Sequence, residues 1–152
     1  MNKYDNLYFA ANLLIDASEE TQKKYPELKQ NMGSMVYHAK EFCTIKFCTS
    51  RRSGHTSCIH KLAEERFNNK VILLFNTWEL SNCYKECFFG YNEPPYNILS
   101  TSSNFRGIEL DDIEAIIIDT AYSLSKQKID EIYASFSCGT RNEKPFFFIF
   151  VQ

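Results

Sequence analysis

Three short runs of unbroken apolar residues constrain this chain more than any other feature. They are Val71-Ile72-Leu73-Leu74-Phe75, Ala115-Ile116-Ile117-Ile118 and Phe146 to Val151. A strand with one wet face alternates apolar and polar side chains, so a continuous run marks a strand buried on both faces. Both faces of a sheet are covered when helices lie on each side, as parallel strands with helical crossovers require. Segments of helical period separate the runs. Thr56 to Phe67 brings Ile59, Leu62, Ala63 and Phe67 to one face, and Leu124 to Phe136 does the same with Ile129, Ile132, Tyr133 and Phe136. The pattern predicts an α/β three-layer sandwich with a mainly parallel sheet of four or five strands.

The remaining segments complete that expectation. Phe42 to Cys48 is rich in β-formers and is predicted as the first strand, with a short helix at Trp78 to Phe88, a loop at Gly90 to Pro95 and a short strand at Ile98 to Thr101. Tyr4 to Lys24 is predicted as a helix with Leu7, Ala11, Leu14 and Ile15 as its apolar stripe. A second helix is expected from Leu28 to Ala39, across Gly33. Residues 1–41 would then be a helical cover and residues 42–152 the core of a single domain, which 152 residues can form without staples.

Composition removes several classes of function. A hydrophobic content of 44% argues against disorder. The net charge of −2 exerts no general pull on nucleic acid. The longest apolar runs, such as Pro145 to Val151, are too short to span a bilayer, so no membrane partner is expected. The beginning Met-Asn-Lys-Tyr-Asp carries no apolar stretch with a cleavage site, so a cytoplasmic protein is expected. In such a compartment the six cysteines are expected to be free, buried thiols. Cys83 and Cys87 would share a helix face. A zinc site needs two further ligands, for which only His38 and His60 are near, and zinc is not expected.

The stretch Thr49-Ser50-Arg51-Arg52-Ser53-Gly54-His55-Thr56-Ser57 lies between the first predicted strand and the first crossover helix. A phosphate-binding loop reads G-x-x-x-x-G-K-[ST]. This stretch keeps the second glycine and the hydroxyl, with Thr49 at the first glycine and His55 at the lysine. A helix N-terminus offers unpaired amides and partial positive charge, so the amides of Ser53 to Ser57 would surround a phosphate. Arg51 and Arg52 would add cationic forks suited to phosphate oxygens. The hydroxyl of Thr56, with that of Ser57 as the alternative, is where Mg²⁺ would be held. Asp119 ends the Ala115–Ile118 run and would face the same ion. Its place in the chain suits a sheet with one strand between the two in sequence.

These motifs resemble the arginine-containing phosphate loop of phage terminase large-subunit ATPases and related helicase-like P-loop proteins. Phe105-Arg106-Gly107-Ile108, followed by Ile113 to Thr120, is similar to their Arg-Gly segment and acidic strand, and Phe146 to Gln152 falls where their motif-coupling strand lies. The resemblance covers about residues 42–152. It implies a bound nucleotide such as ATP with Mg²⁺, Arg106 against a phosphate or a neighbouring subunit, a phage origin and a link to DNA transactions. Two departures imply slow hydrolysis or none. His55 replaces the lysine, and Thr120 replaces the glutamate that activates water; each such group is worth roughly 100-fold or more in rate. The alternative class is a non-enzymatic protein that kept this scaffold and binds or inhibits a protein partner.

Other constellations are weaker. Ser53 lacks the G-x-S-x-G context of a nucleophile elbow. Asp111, Asp112 and Glu114 are expected to form a solvated turn. Trp78, Tyr84 and Phe88 are expected to pack in the core, and Tyr91 to Tyr96 to form an exposed aromatic loop.

Overall fold

The computed structural model describes residues 5–27, 29, 34–49, 54–119 and 123–152. The elements run α1 (Asp5–Lys24), α2 (Met35–Phe42), β1 (Thr44–Phe47), α3 (His55–Lys61), β2 (Val71–Phe75), α4 (Trp78–Phe89), β3 (Asn97–Ser100), β4 (Ala115–Ile118), α5 (Lys126–Phe136) and β5 (Phe147–Val151). A π-helical turn, Leu62–Arg66, continues α3, and a 3₁₀ turn, Ser137–Arg141, follows α5. Every strand pair is parallel, in the order β1-β5-β4-β2-β3. This is a three-layer α/β sandwich.

The layers follow from the pleat, which sends alternate side chains to opposite faces. Leu73, Phe75, Ile117 and Ile149 pack with Leu7, Ala11 and Ile15 of α1, Ile59 of α3 and Tyr84 of α4. Ile72, Leu74, Ile116, Phe148 and Phe150 pack with Ala39 of α2 and Ile132, Tyr133 and Phe136 of α5. Right-handed crossovers explain this division. The steps β1→β2 and β2→β3 run one way across the sheet and place α3 and α4 on one face. The step β4→β5 runs the other way and places α5 on the opposite face.

Several boundaries differ from expectation. Phe42 and Cys43 belong to the end and cap of α2, whose cap amide reaches Ala39, so β1 begins at Thr44. Leu14 is 44% exposed, and the buried stripe of α1 is Leu7, Ala11, Ile15 and Gln22. Of the second predicted helix, Leu28 and Gln30 to Gly33 lie outside the described residues. Only Cys43 and Cys58 of the six free cysteines are buried; Cys48, Cys83, Cys87 and Cys138 are exposed. Cys83 and Cys87 lie on the outer part of a helix that shows only one side to the sheet. Two strands, β2 and β3, separate β1 from β4 in sequence, where one was expected.

Polar contacts lock together the elements that cover the first face. Arg66, on the π-helical turn, donates to Asp16 at 2.7 Å and Glu19 at 2.9 Å on α1. On the same face, Tyr84 Oη lies 3.0 Å from His60 Nδ1 and 2.9 Å from Tyr96 Oη, closing a buried edge of the core.

Candidate functional site

All strands point the same way, so the loops after β1, β2, β3 and β4 gather at one edge of the sheet. There the connection from β2 leads outward to β3, while that from β4 leads back toward β5. Open α/β sheets hold ligands in the crevice where connections diverge in this manner. Asp119 stands at the divergence. It is 8% exposed, and its amide donates to the Leu74 carbonyl at 2.9 Å, extending the β2–β4 pairing by one residue.

The surrounding groups are polar and mutually positioned. Asn76 Nδ2 donates to Ser123 Oγ at 2.8 Å and so joins the loop after β2 to the loop after β4. Thr101 Oγ1 donates to the Asn76 carbonyl at 3.1 Å. Thr77 caps α4 by accepting from the Leu80 amide. None of Asn76, Thr77, Thr101 and Ser123 was singled out from the sequence. Their only common signal is that each follows a strand, and that becomes specific once the strand order is known.

At the same edge the chain leaves β1 and enters α3. The Thr49 amide donates to Gln152 at 3.1 Å, continuing the β1–β5 ladder past the ends of both strands. Gly54 adopts φ 91° and ψ 28°, the left-handed conformation that glycine takes without a Cβ penalty, and stands as N-cap of α3 with no side-chain cap. Its carbonyl accepts from the Cys58 amide at 2.9 Å, so the amides of His55 to Ser57 form the open first turn. Thr56 is exposed there and Ser57 is half-buried. His55 Nε2 and Thr49 Oγ1 are hydrogen-bonded to each other. The residue at the lysine position is thus tied to the residue at the first-glycine position. Arg51, Arg52, Ser53 and Thr120 lie outside the described residues.

β5 lies between β1 and β4, so the two loop origins are two strand spacings apart, about 10 Å. A Mg²⁺ ion accepts oxygen ligands and keeps several waters, and the Thr56 hydroxyl with the Asp119 carboxylate is a donor set of that chemistry. No group of three or more His, Cys, Asp or Glu side chains among the described residues could hold a metal.

Arg106 is placed elsewhere. It is exposed on the loop 101–114, with its amide bonded to Asn104 Oδ1 at 3.0 Å. The neighbouring Phe105 ring lies 5.0 Å from that of Phe136, at the end of α5 remote from the edge where Asp119 sits. Trp78 is 65% exposed at the start of α4, whereas Tyr84 is buried, so these two aromatics do not act together. Tyr91 is fully exposed and Tyr96 is buried, which divides the aromatic loop into an outer and an inner end. Glu114 is held by Lys70 at 3.9 Å and Lys144 at 3.6 Å, while Asp111 and Asp112 are exposed.

Comparison with protein-family models, with curated proteins and with solved structures gave no match. No helix among the described residues is long and apolar enough to cross a membrane.

Proposed function

We propose that the chain binds the phosphates of a nucleotide at the carboxyl edge of its sheet and hydrolyses them slowly or not at all. The observation that carries this is the left-handed Gly54 opening α3 directly after β1, at the edge where the buried Asp119 ends β4. The amides of His55 to Ser57 take the phosphate oxygens. Thr56 and Asp119 hold Mg²⁺, with Arg51 and Arg52 supplying charge. The ion neutralises phosphate charge when bound. His55, engaged by Thr49, is not available to reach a γ-phosphate as a lysine would, in keeping with slow turnover. The resemblance to terminase ATPases extends the proposal to phage DNA transactions in the host cytoplasm.

Isothermal titration with ATP and Mg²⁺ tests this. Saturable heat in the wild type, lost in Thr56→Ala and Asp119→Asn, is expected. No heat, together with no shift in melting temperature, refutes it.

A second reading, a scaffold that binds a protein partner, is favoured by one specific observation. The outer side of α1 presents Phe9 (58% exposed), Leu13 (55%) and Leu14 (44%), neighbours at helical spacing. Under this reading Phe9→Ser with Leu13→Ser abolishes association with the partner, and Thr56→Ala leaves it intact.

A further inference from the structure

On the face of the sheet that carries α2 and α5, a groove of about 580 Å³ opens between the start of α2 and the 3₁₀ turn after α5. It lies on the opposite face of the sheet from α3 and shares no described residue with the loop at Gly54. Among the described residues, the titratable groups that line it are all basic: Lys29, His38 and Arg141. Lys29 Nζ is held in place by donating to the Asn142 carbonyl at 3.0 Å. The Arg141 guanidinium forms no ion pair or hydrogen bond with any described residue, and Arg141 is exposed.

His38 is the unusual member. It is 4% exposed, yet among the described residues neither Nδ1 nor Nε2 has a hydrogen-bond partner. Buried polar groups are nearly always paired, and one left unpaired carries a desolvation penalty with nothing to offset it. Packing explains the ring but not its nitrogens: the only aromatic contact it makes among the described residues is with Phe42, 5.5 Å between centroids. A phenyl ring would fill that space without the penalty. Burial and the nearby Lys29 ammonium both lower the pKa of His38, so the neutral ring, with one N–H to donate, lines the groove together with the anchored Lys29 and the exposed Arg141.

The rest of the lining fits the same kind of ligand. Ser34 caps α2 through the Tyr37 amide, and the first-turn residues Met35 and Val36 line the groove. With Ala134 they give the lining an apolar part beside the basic one. We infer that this groove binds a small organic oxyanion, a carboxylate or phosphate monoester on an apolar body. Lys29 and Arg141 neutralise its charge, and the His38 imidazole donates a hydrogen bond to it.

The test is an NMR titration of the full-length chain, labelled with ¹⁵N, using inorganic phosphate, phenyl phosphate and benzoate as probes. Saturable movement of the His38 ring nitrogens is expected, with phenyl phosphate or benzoate binding more tightly than inorganic phosphate. The preferred one of the two identifies the oxyanion. Movement of His55 reports the loop at Gly54, so the two sites are read separately. Lys29→Met and Arg141→Met should each weaken the His38 response about tenfold, the worth of a charge-assisted hydrogen bond. His38→Phe should fold with an unchanged or higher melting temperature and lose the ligand-induced rise. The inference is overturned if no probe moves His38 saturably. It is equally overturned if both methionine variants respond like the wild type, or if His38→Phe keeps the full ligand-induced rise.

Discussion

Gln22 holds two backbone groups that no strand reaches, and replacing it tests how α1 is fastened to the sheet. Its side-chain amide is buried at 7% exposure on the last turns of α1. Nε2 donates to the Phe146 carbonyl at 3.1 Å, and Oε1 accepts from the Phe146 amide at 3.1 Å. The amide thus acts as a one-residue strand beside the entry to β5. In Gln22→Met the shape is nearly kept, while an amide and a carbonyl of a fully buried residue lose their partners. Each orphaned group costs about 1–3 kcal/mol, so the pair should cost roughly 2–6 kcal/mol. For a chain of this size that lowers the melting temperature by about 4–24 °C, at roughly 2–4 °C per kcal/mol. Urea denaturation followed by circular dichroism measures it, with Glu20→Met on the exposed side of the same helix as control. Gln22→Glu adds an independent check. Its carboxylate would face the Phe146 carbonyl, and the protonated form regains a donor, so the folded-state pKa is raised. Stability relative to wild type should therefore recover at low pH and be lost as pH rises through that raised value. A Gln22→Met protein within about 0.5 kcal/mol of wild type, the range of ordinary surface changes, would refute the reasoning.

Four further outcomes follow from single features. In Gly139→Ala the new Cβ would lie within 3.0 Å of three ring atoms of Phe146, so overpacking should cost about 1–3 kcal/mol in chemical denaturation with an unchanged m-value. Gly54→Ala must hold a left-handed φ of 91° with a Cβ, which should cost about 1–2 kcal/mol in thermal unfolding and weaken the heat of Mg²⁺·ATP binding. Burial pushes the thiols of Cys43 and Cys58 from 9.0 up to about 12. The folded chain keeps those protons while the unfolded chain releases them, so stability should fall between pH 9 and 12, each thiol contributing up to about 1.4 kcal/mol per pH unit. Alkaline melting curves of Cys43→Ser and Cys58→Ala, flatter than that of wild type, are the check. At pH 8 iodoacetamide should modify Cys48, Cys83, Cys87 and Cys138 in the native state and leave the two buried thiols untouched.

Much of the architecture could be read along the chain because its signal is local. Val71–Phe75 and Ala115–Ile118 are strands with the predicted bounds, since an unbroken apolar run of that length is stable only between two covered faces. The crossover helices were legible from their period of 3.6, and Gly54 stood out as the second glycine of the phosphate-loop pattern; its left-handed φ came with the structure. At the candidate site, Thr56 was singled out by its place in the phosphate-loop pattern and Asp119 by its place at the end of an apolar strand. Asn76, Thr101 and Ser123 were not, because nothing in their local context distinguishes them from ordinary loop residues.

Tertiary structure decided the rest. Burial on both faces does not say which strand is the neighbour, because any apolar edge satisfies another equally well in a local pattern. The insertion of β5 between β1 and β4 is settled by crossover handedness and by the packing of α1, α3 and α4 against one face and α2 and α5 against the other. The same holds for Gln22 and Phe146, which are 124 residues apart. It holds also for Trp78 and Leu14, apolar residues left in water because their helices show only one side to the sheet. Local pattern marks which residues avoid water, and only the folded chain brings each to its partner.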